Sequence, residues 1–162
     1  MTKDEGDTLP DAALQRLGAE GPEVVQLHSL TAGRRVAIFA VPGAYTGVCT
    51  TAHVPSFIRT KGQFADKGIE TIIGIAVNDP FVMQAWGEST GATEAGLTLL
   101  ADPGAEFTKA MGMAFTAPPV GFYDRSRRYA MVVEDNRIVT LHAEESPGTC
   151  ETSGGEALLA TL

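Results

Sequence analysis

Cysteine is scarce in this chain: of 162 residues, only Cys49 and Cys150 carry a thiol. Two thiols are too few for a disulfide scaffold or a four-thiolate zinc site, and the lack of a CxxC pair excludes a dithiol within one helical turn. Long apolar runs are missing too. The longest, such as residues 36–42, fall far short of the roughly 20 residues that span a bilayer. Basic residues are the minority, with 12 Lys and Arg against 20 Asp and Glu. Without a basic surplus, neither nucleic acid nor an anionic membrane is an expected partner. The start Met1-Thr2-Lys3-Asp4-Glu5-Gly6-Asp7 lacks the basic and apolar stretches of a secretory signal, so a cytoplasmic location is expected. Repeats, linkers and phosphate-loop glycine spacing are likewise absent.

What is present suits a folded domain. Apolar residues make up 44% and charged residues 20%, which is the balance of a globular core with a solvated surface. The length fits one domain over residues 1–162, with residues 1–20 expected to be loosely organised. Beyond them, strand and helix patterns alternate. Arg35-Val36-Ala37-Ile38-Phe39-Ala40-Val41 and Thr71-Ile72-Ile73-Gly74-Ile75-Ala76-Val77 read as strands buried on both faces. Residues 50–67 carry helical spacing, with Pro55 as an expected kink. Asn78-Asp79-Pro80 caps a helix over residues 81–88, residues 97–100 form a short strand, and Asp102-Pro103 opens a helix to Met111. Residues 128–133 and 137–141 form a hairpin across Glu134-Asp135-Asn136, and residues 155–162 form a terminal helix. The pattern predicts an α/β fold with a mixed central sheet.

The chemistry-bearing stretch is Pro42-Gly43-Ala44-Tyr45-Thr46-Gly47-Val48-Cys49-Thr50-Thr51-Ala52-His53. It joins a buried strand to a helix, a junction that usually opens a cleft. Cys49 falls in the first helical turn, where backbone N–H groups lack partners. The thiolate is the reactive form of cysteine, and a helix N-terminus contributes at most ~2 kcal/mol toward it, roughly 1.5 in pKa. A nearby cation is therefore also required. The Thr46 hydroxyl could bond the sulfur and a bound oxygen, and Pro42 could shield the pocket. Arg127 and Arg128 both precede Tyr129-Ala130-Met131, and strand alternation lets only one of them face the site. Position alone does not carry this reading, because a lone cysteine in an α/β core is more often an inert hydrophobe.

The order of motifs carries it further. Pro42-x3-Thr46-x2-Cys49 resembles the active-site pattern of peroxiredoxins. Phe39-Ala40-Val41-Pro42-Gly43-Ala44-Tyr45-Thr46 followed by His53-Val54-Pro55-Ser56-Phe57 is similar to the peroxiredoxin V subfamily. So are Val77-Asn78-Asp79-Pro80-Phe81-Val82-Met83 with Ala85-Trp86-Gly87, then Leu100-Ala101-Asp102-Pro103 with Glu106-Phe107-Thr108-Lys109, and Arg125-Ser126-x-Arg128-Tyr129-Ala130-Met131-Val132-Val133. The resemblance spans roughly residues 33–162. It implies a thioredoxin-like fold with helices flanking the sheet. It implies a peroxidase that reduces hydrogen peroxide and organic hydroperoxides through a sulfenic acid at Cys49. Thr46 then holds the peroxide, Pro42 shields the pocket, Arg128 stabilises the charge and Arg127 faces away. Glutaredoxin, glutathione or thioredoxin is the implied reductant and a homodimer the implied assembly, with no metal or organic cofactor. The sequence departs from the family at Gly47, where proline is usual, and this puts the rigidity of the loop in question.

Cys150 has two readings: a resolving cysteine that forms a disulfide with Cys49, or a loop thiol with an external thiol doing that work. His53, four residues after Cys49, shares its helical face. It suggests either a cysteine hydrolase or acyl transferase built on Cys49 and His53, or a packing histidine bonded to a backbone group. A non-catalytic interaction module is the remaining alternative. His28 and His142 read as ordinary histidines. Trp86, with Phe81 and Met83, reads as core or subunit contact.

Overall fold

The computed structural model describes residues 2–146 and 149–162, with Cys49 described by its backbone alone. Along the chain run β1 (Ala13–Gly18), β2 (Gly21–Gln26), α1 (His28–Thr31), β3 (Arg35–Val41), a π-helical turn (Cys49–His53) that leads directly into α2 (Val54–Asp66), β4 (Thr71–Ala76), α3 (Pro80–Thr90) and β5 (Thr98–Ala101). There follow α4 (Glu106–Ala110), β6 (Ala114–Ala117), β7 (Phe122–Ser126), β8 (Tyr129–Glu134), β9 (Arg137–Ala143) and α5 (Gly155–Leu159).

Seven strands form one sheet in the order β2-β1-β5-β4-β3-β8-β9, and β6 and β7 pair separately. The centre β3, β4 and β5 is parallel, while β8 runs antiparallel to β3. The mixed sheet follows from connection length, since parallel neighbours need helical crossovers whereas β8 and β9 turn back within two residues. That turn is Asp135-Asn136, both at positive φ (45° and 65°), the geometry of the tight hairpin turn.

Each central strand is buried on both faces. Ala37, Phe39 and Val41 join Phe57, Phe64, Trp86, Ala130 and Val132 on the face covered by α2, α3 and α5. Val36, Ile38 and Ala40 join Leu14, Phe107, Tyr129, Met131 and Val133 on the other. This is why β3 has no polar alternation.

The N-terminal expectation needs correction. Ala13–Gly18 and Gly21–Gln26 form an antiparallel hairpin, and β1 extends the sheet at Gln15↔Ala101. Leu9, Ala12 and Leu14 are buried. The signal was weak because only one residue in two of a short edge hairpin faces the core, and Arg16–Glu23 forms an exposed ion pair across it at 2.6 Å. The β6–β7 hairpin, which no sequence pattern marks, has the same cause.

Candidate active site

β3 delivers the chain to the site and β8 flanks its exit. The register Ala40↔Tyr129 sets Arg128 beside the end of β3. Alternation does the rest. Arg128 continues the series Ala130 and Val132 toward α2, whereas Arg127 continues Tyr129 and Met131 toward the opposite face. Accordingly the Arg128 side chain is buried, at 2% exposure, and lines a pocket of about 320 Å³ with Pro42, Thr46, Gly47, Val48, Val120 and Phe122. Arg127 instead donates to the Glu144 carbonyl at 3.2 Å and lies against Met113 Sδ.

Residues 42–46 form the loop between β3 and the helix. The Asn78 carboxamide oxygen accepts from the Ala44 N–H at 2.9 Å. The Thr46 hydroxyl donates to the Gly43 carbonyl at 2.7 Å. With its one hydrogen so placed, Thr46 meets a peroxide O–H as an acceptor. Tyr45 lies in the left-handed region at φ 64°, a conformation uncommon outside glycine and one that cramped functional loops retain. Arg125 reaches over from β7 and donates to the Pro42 carbonyl at 3.0 Å. A Cβ at Gly43 would collide with its guanidinium, so glycine there admits the second arginine. Sequence reading missed Arg125 and Tyr45: the first is one arginine among several, and backbone strain at a non-glycine leaves no mark on composition.

The helix opens in an unusual way. After Gly47 and Val48, the residues Cys49–His53 form a π-helical turn before α2 becomes regular at Val54. Pro55 accounts for this. It has no N–H to give the Thr51 carbonyl, and its ring crowds that carbonyl, so the turn widens by one residue. The expected kink is thus a local change of pitch around Cys49. The buried Trp86 indole donates to Thr50 Oγ1 at 3.0 Å and holds the widened turn from α3. Trp86 and Met83 are core, while Phe81 is exposed. The Cys49 side chain lies outside the described residues, so its expected role is placed through its backbone and its neighbours.

His53 decides between two chemistries. It is fully buried and packs between Phe39 and Phe57, with ring centroids 5.1 and 5.7 Å away. Its Nε2 lies 2.9 Å from the Ser153 carbonyl, which can only accept, so Nε2 carries the proton. Its Nδ1 therefore accepts from Arg128 Nη1 at 3.0 Å. Burial, then the Arg128 charge, pushes the His53 pKa down to about 3, and the ring stays neutral. Both nitrogens are committed, which leaves no lone pair to deprotonate Cys49. The cysteine hydrolase or transferase reading loses its base, and the packing reading of His53 stands. His28 and His142 also bond carbonyls, of Leu9 and Thr152, each at 2.7 Å.

Cys150 is half-buried. Its sulfur and Ser56 Oγ both approach the position a Cβ at Gly154 would take, at 3.6 and 3.7 Å. Ser56 lies seven residues after Cys49, roughly 10 Å further along the helix axis. Cys150 therefore sits near the second turn after Cys49. Among the described residues, no three His, Cys, Asp or Glu side chains are grouped to hold a metal.

Comparison with known proteins places this arrangement. The Redoxin family model matches residues 4–159. The chain is 42% identical to the chloroplastic peroxiredoxin-2E-2 of Oryza sativa subsp. japonica over 97% of its own length and 71% of the relative's. It is 39% identical to peroxiredoxin-2C of the same rice, covering 97% and 96%. Among solved structures, reduced Prx3 from Vibrio vulnificus in complex with H2O2 superposes at TM-score 0.91, with 41% identity and 99% of each chain covered. Peroxiredoxin 5 from Alvinella pompejana superposes at 0.85, with 32% identity and 98% and 97% covered. The chain belongs to the peroxiredoxin family. Its relatives put it with the peroxiredoxin-5-like members. This peroxiredoxin has the thioredoxin-like fold of its structural neighbours and is a thiol-dependent peroxidase.

Proposed function

We propose that this peroxiredoxin reduces hydrogen peroxide and organic hydroperoxides through a sulfenic acid at Cys49. The observation that carries the proposal is the buried Arg128 guanidinium in one pocket with Pro42 and Thr46, at the start of the helix that bears Cys49. A fixed cation and a helix N-terminus both favour the thiolate. The thiolate attacks the terminal oxygen of ROOH. An S–O bond forms as the O–O bond breaks, and the departing RO⁻ takes a proton to leave as alcohol or, from H2O2, as water. Thr46 accepts the peroxide O–H, Arg128 bears the charge that develops on the oxygens, and the buried Pro42 shields the pocket with Phe122.

For the return step, the proposal names glutathione, glutaredoxin or thioredoxin. The distance from Ser56 to Cys49 favours attack by an external thiol on the helix as folded, because a Cys49–Cys150 bond needs Cα atoms within about 7 Å. The proposal extends to a homodimer, supported by the exposed side chains of Tyr45 and of Val120, which lines the pocket, and to a cytoplasmic location. Sedimentation velocity checks the first.

The deciding experiment treats the protein with one equivalent of peroxide and identifies the product by mass spectrometry. Trapped sulfenic acid at Cys49, with peroxide consumption abolished by Cys49→Ser, supports the mechanism. A Cys49–Cys150 disulfide assigns the resolving role to Cys150. Unchanged peroxide turnover in Cys49→Ser refutes the proposal.

A further inference from the structure

The side chain of Glu144 lies outside the pocket, yet it closes a ring of hydrogen bonds that includes Arg128. The Glu144 N–H donates to the Arg128 carbonyl at 2.9 Å. Glu144 is buried, at 4% exposure of the whole residue, and its carboxylate is enclosed by residues 149–153. It accepts from Ser153 N–H and Oγ–H, both at 2.6 Å, and from the Glu151 N–H at 2.9 Å, and it lies 3.3 Å from the Thr149 hydroxyl, which shares its one hydrogen with the Ser146 carbonyl at 3.0 Å. The Ser153 carbonyl accepts from His53 Nε2, and His53 Nδ1 accepts from Arg128 Nη1. Every step around the ring has one donor and one acceptor. The ring therefore has a single consistent direction and fixes the His53 tautomer. Burial raises the Glu144 carboxyl, but the bonds from Ser153, Glu151 and Thr152 outweigh it and hold the group below its ordinary range.

Taking the Proposed function of Arg128 as its basis, we propose that Glu144 is a positioning residue for peroxide reduction: through Ser153 and His53 it holds the guanidinium aimed into the pocket. The carboxylate does not touch substrate. It anchors residues 149–153, whose Ser153 carbonyl sets the imidazole, and the imidazole sets the arginine. The same segment carries Cys150, so a movement that brings Cys150 toward Cys49 opens the ring and releases Arg128. Peroxide capture and internal disulfide formation then exclude one another in time.

The test is a double-mutant cycle read by the pKa of the Cys49 thiol, measured by alkylation rate against pH. All variants are built on Cys150→Ser, which leaves one thiol. Glu144→Gln removes the negative charge that strengthens the bonds from Ser153 and Glu151. It raises the Cys49 pKa by about 1 and lowers kcat/KM for peroxide about tenfold. In an Arg128→Ala background the same substitution has no further effect on the thiol pKa, because its route is already cut. Ser153→Ala, which keeps the main chain and removes one donor, gives a smaller shift in the same direction. It serves as the reading if Glu144→Gln does not fold. A shift that persists at equal size in the Arg128→Ala background makes Glu144 merely structural and overturns the inference, as does no shift in either variant. If Arg128→Ala itself leaves the Cys49 pKa unchanged, the assignment of Arg128 fails as well, which separates the two failures.

Discussion

Arg128 Nη1 donates to His53 Nδ1 at 3.0 Å, and this bond settles what both residues can do. The histidine cannot act as a base, and the arginine is held with its charge beside the helix start. Arg128→Ala is expected to raise the Cys49 pKa and slow peroxide reduction. It also leaves a buried Nδ1 unpaired, at a cost of about 1–3 kcal/mol of stability. Arg127→Ala, whose side chain turns to the Glu144 carbonyl, should leave the thiol pKa in place. Stopped-flow peroxide reduction and thiol titration of the two variants check this. Equal effects would contradict the Ala40↔Tyr129 register, which turns the two arginines to opposite faces.

His53 makes folding acid-sensitive. Its folded pKa, about 3, lies below the unfolded value of 6.5. The sign follows from the depressed value: stability is intact above pH 6.5 and is lost as pH falls toward 3, because the unfolded chain binds the proton first. The slope from this residue is at most about 1.4 kcal/mol per pH unit. His53→Gln, which has no titrating ring, should flatten the fall in denaturation midpoint between pH 6 and 4. An unchanged slope would mean that other groups cause it.

Gly47 stands where the resemblance expects proline. It lies in the first helical turn, outside the left-handed region, and an added Cβ there meets no atom within 4 Å. Gly47→Pro should therefore stabilise the protein by about 0.4–1 kcal/mol through loss of unfolded-chain entropy. Thermal denaturation measures it, and a lower midpoint would show that the preceding Thr46 cannot accept the restriction that proline imposes.

Trp86 holds the widened turn through Thr50. Trp86→Phe keeps the aromatic packing and removes the donor. A loss of about 1 kcal/mol is expected, with faster amide exchange confined to residues 49–53. Exchange that rises evenly along α2 would place the effect in packing and not in the bond.

Much of the fold was legible because buried parallel strands and capped helices leave strong local marks. β3 has the same limits in the sequence and in the structure, Arg35–Val41, since a continuous apolar run ended by Pro42-Gly43 has few alternatives. Asp79 caps α3 as its position before Pro80 predicts, accepting from the Val82 N–H at 2.8 Å. The β1–β2 and β6–β7 hairpins were not legible, because a half-exposed strand of four to six residues carries too few apolar positions to stand out.

The sequence by itself determined the nucleophile's setting: a thiol at a strand-to-helix junction, Thr46 three residues before it, and an arginine at the head of a later strand. It also narrowed Arg127 and Arg128 to one, because alternation is a local property of the backbone. Tertiary structure alone decided the rest. His53 became the acceptor of Arg128 only when β8 packed beside β3 and the Ser153 carbonyl arrived to take its other nitrogen. Cys150 came to rest near Ser56, because residues 149–153 are tied to the Glu144 carboxylate. Such bonds join residues far apart in the chain, and no spacing within a single segment encodes them.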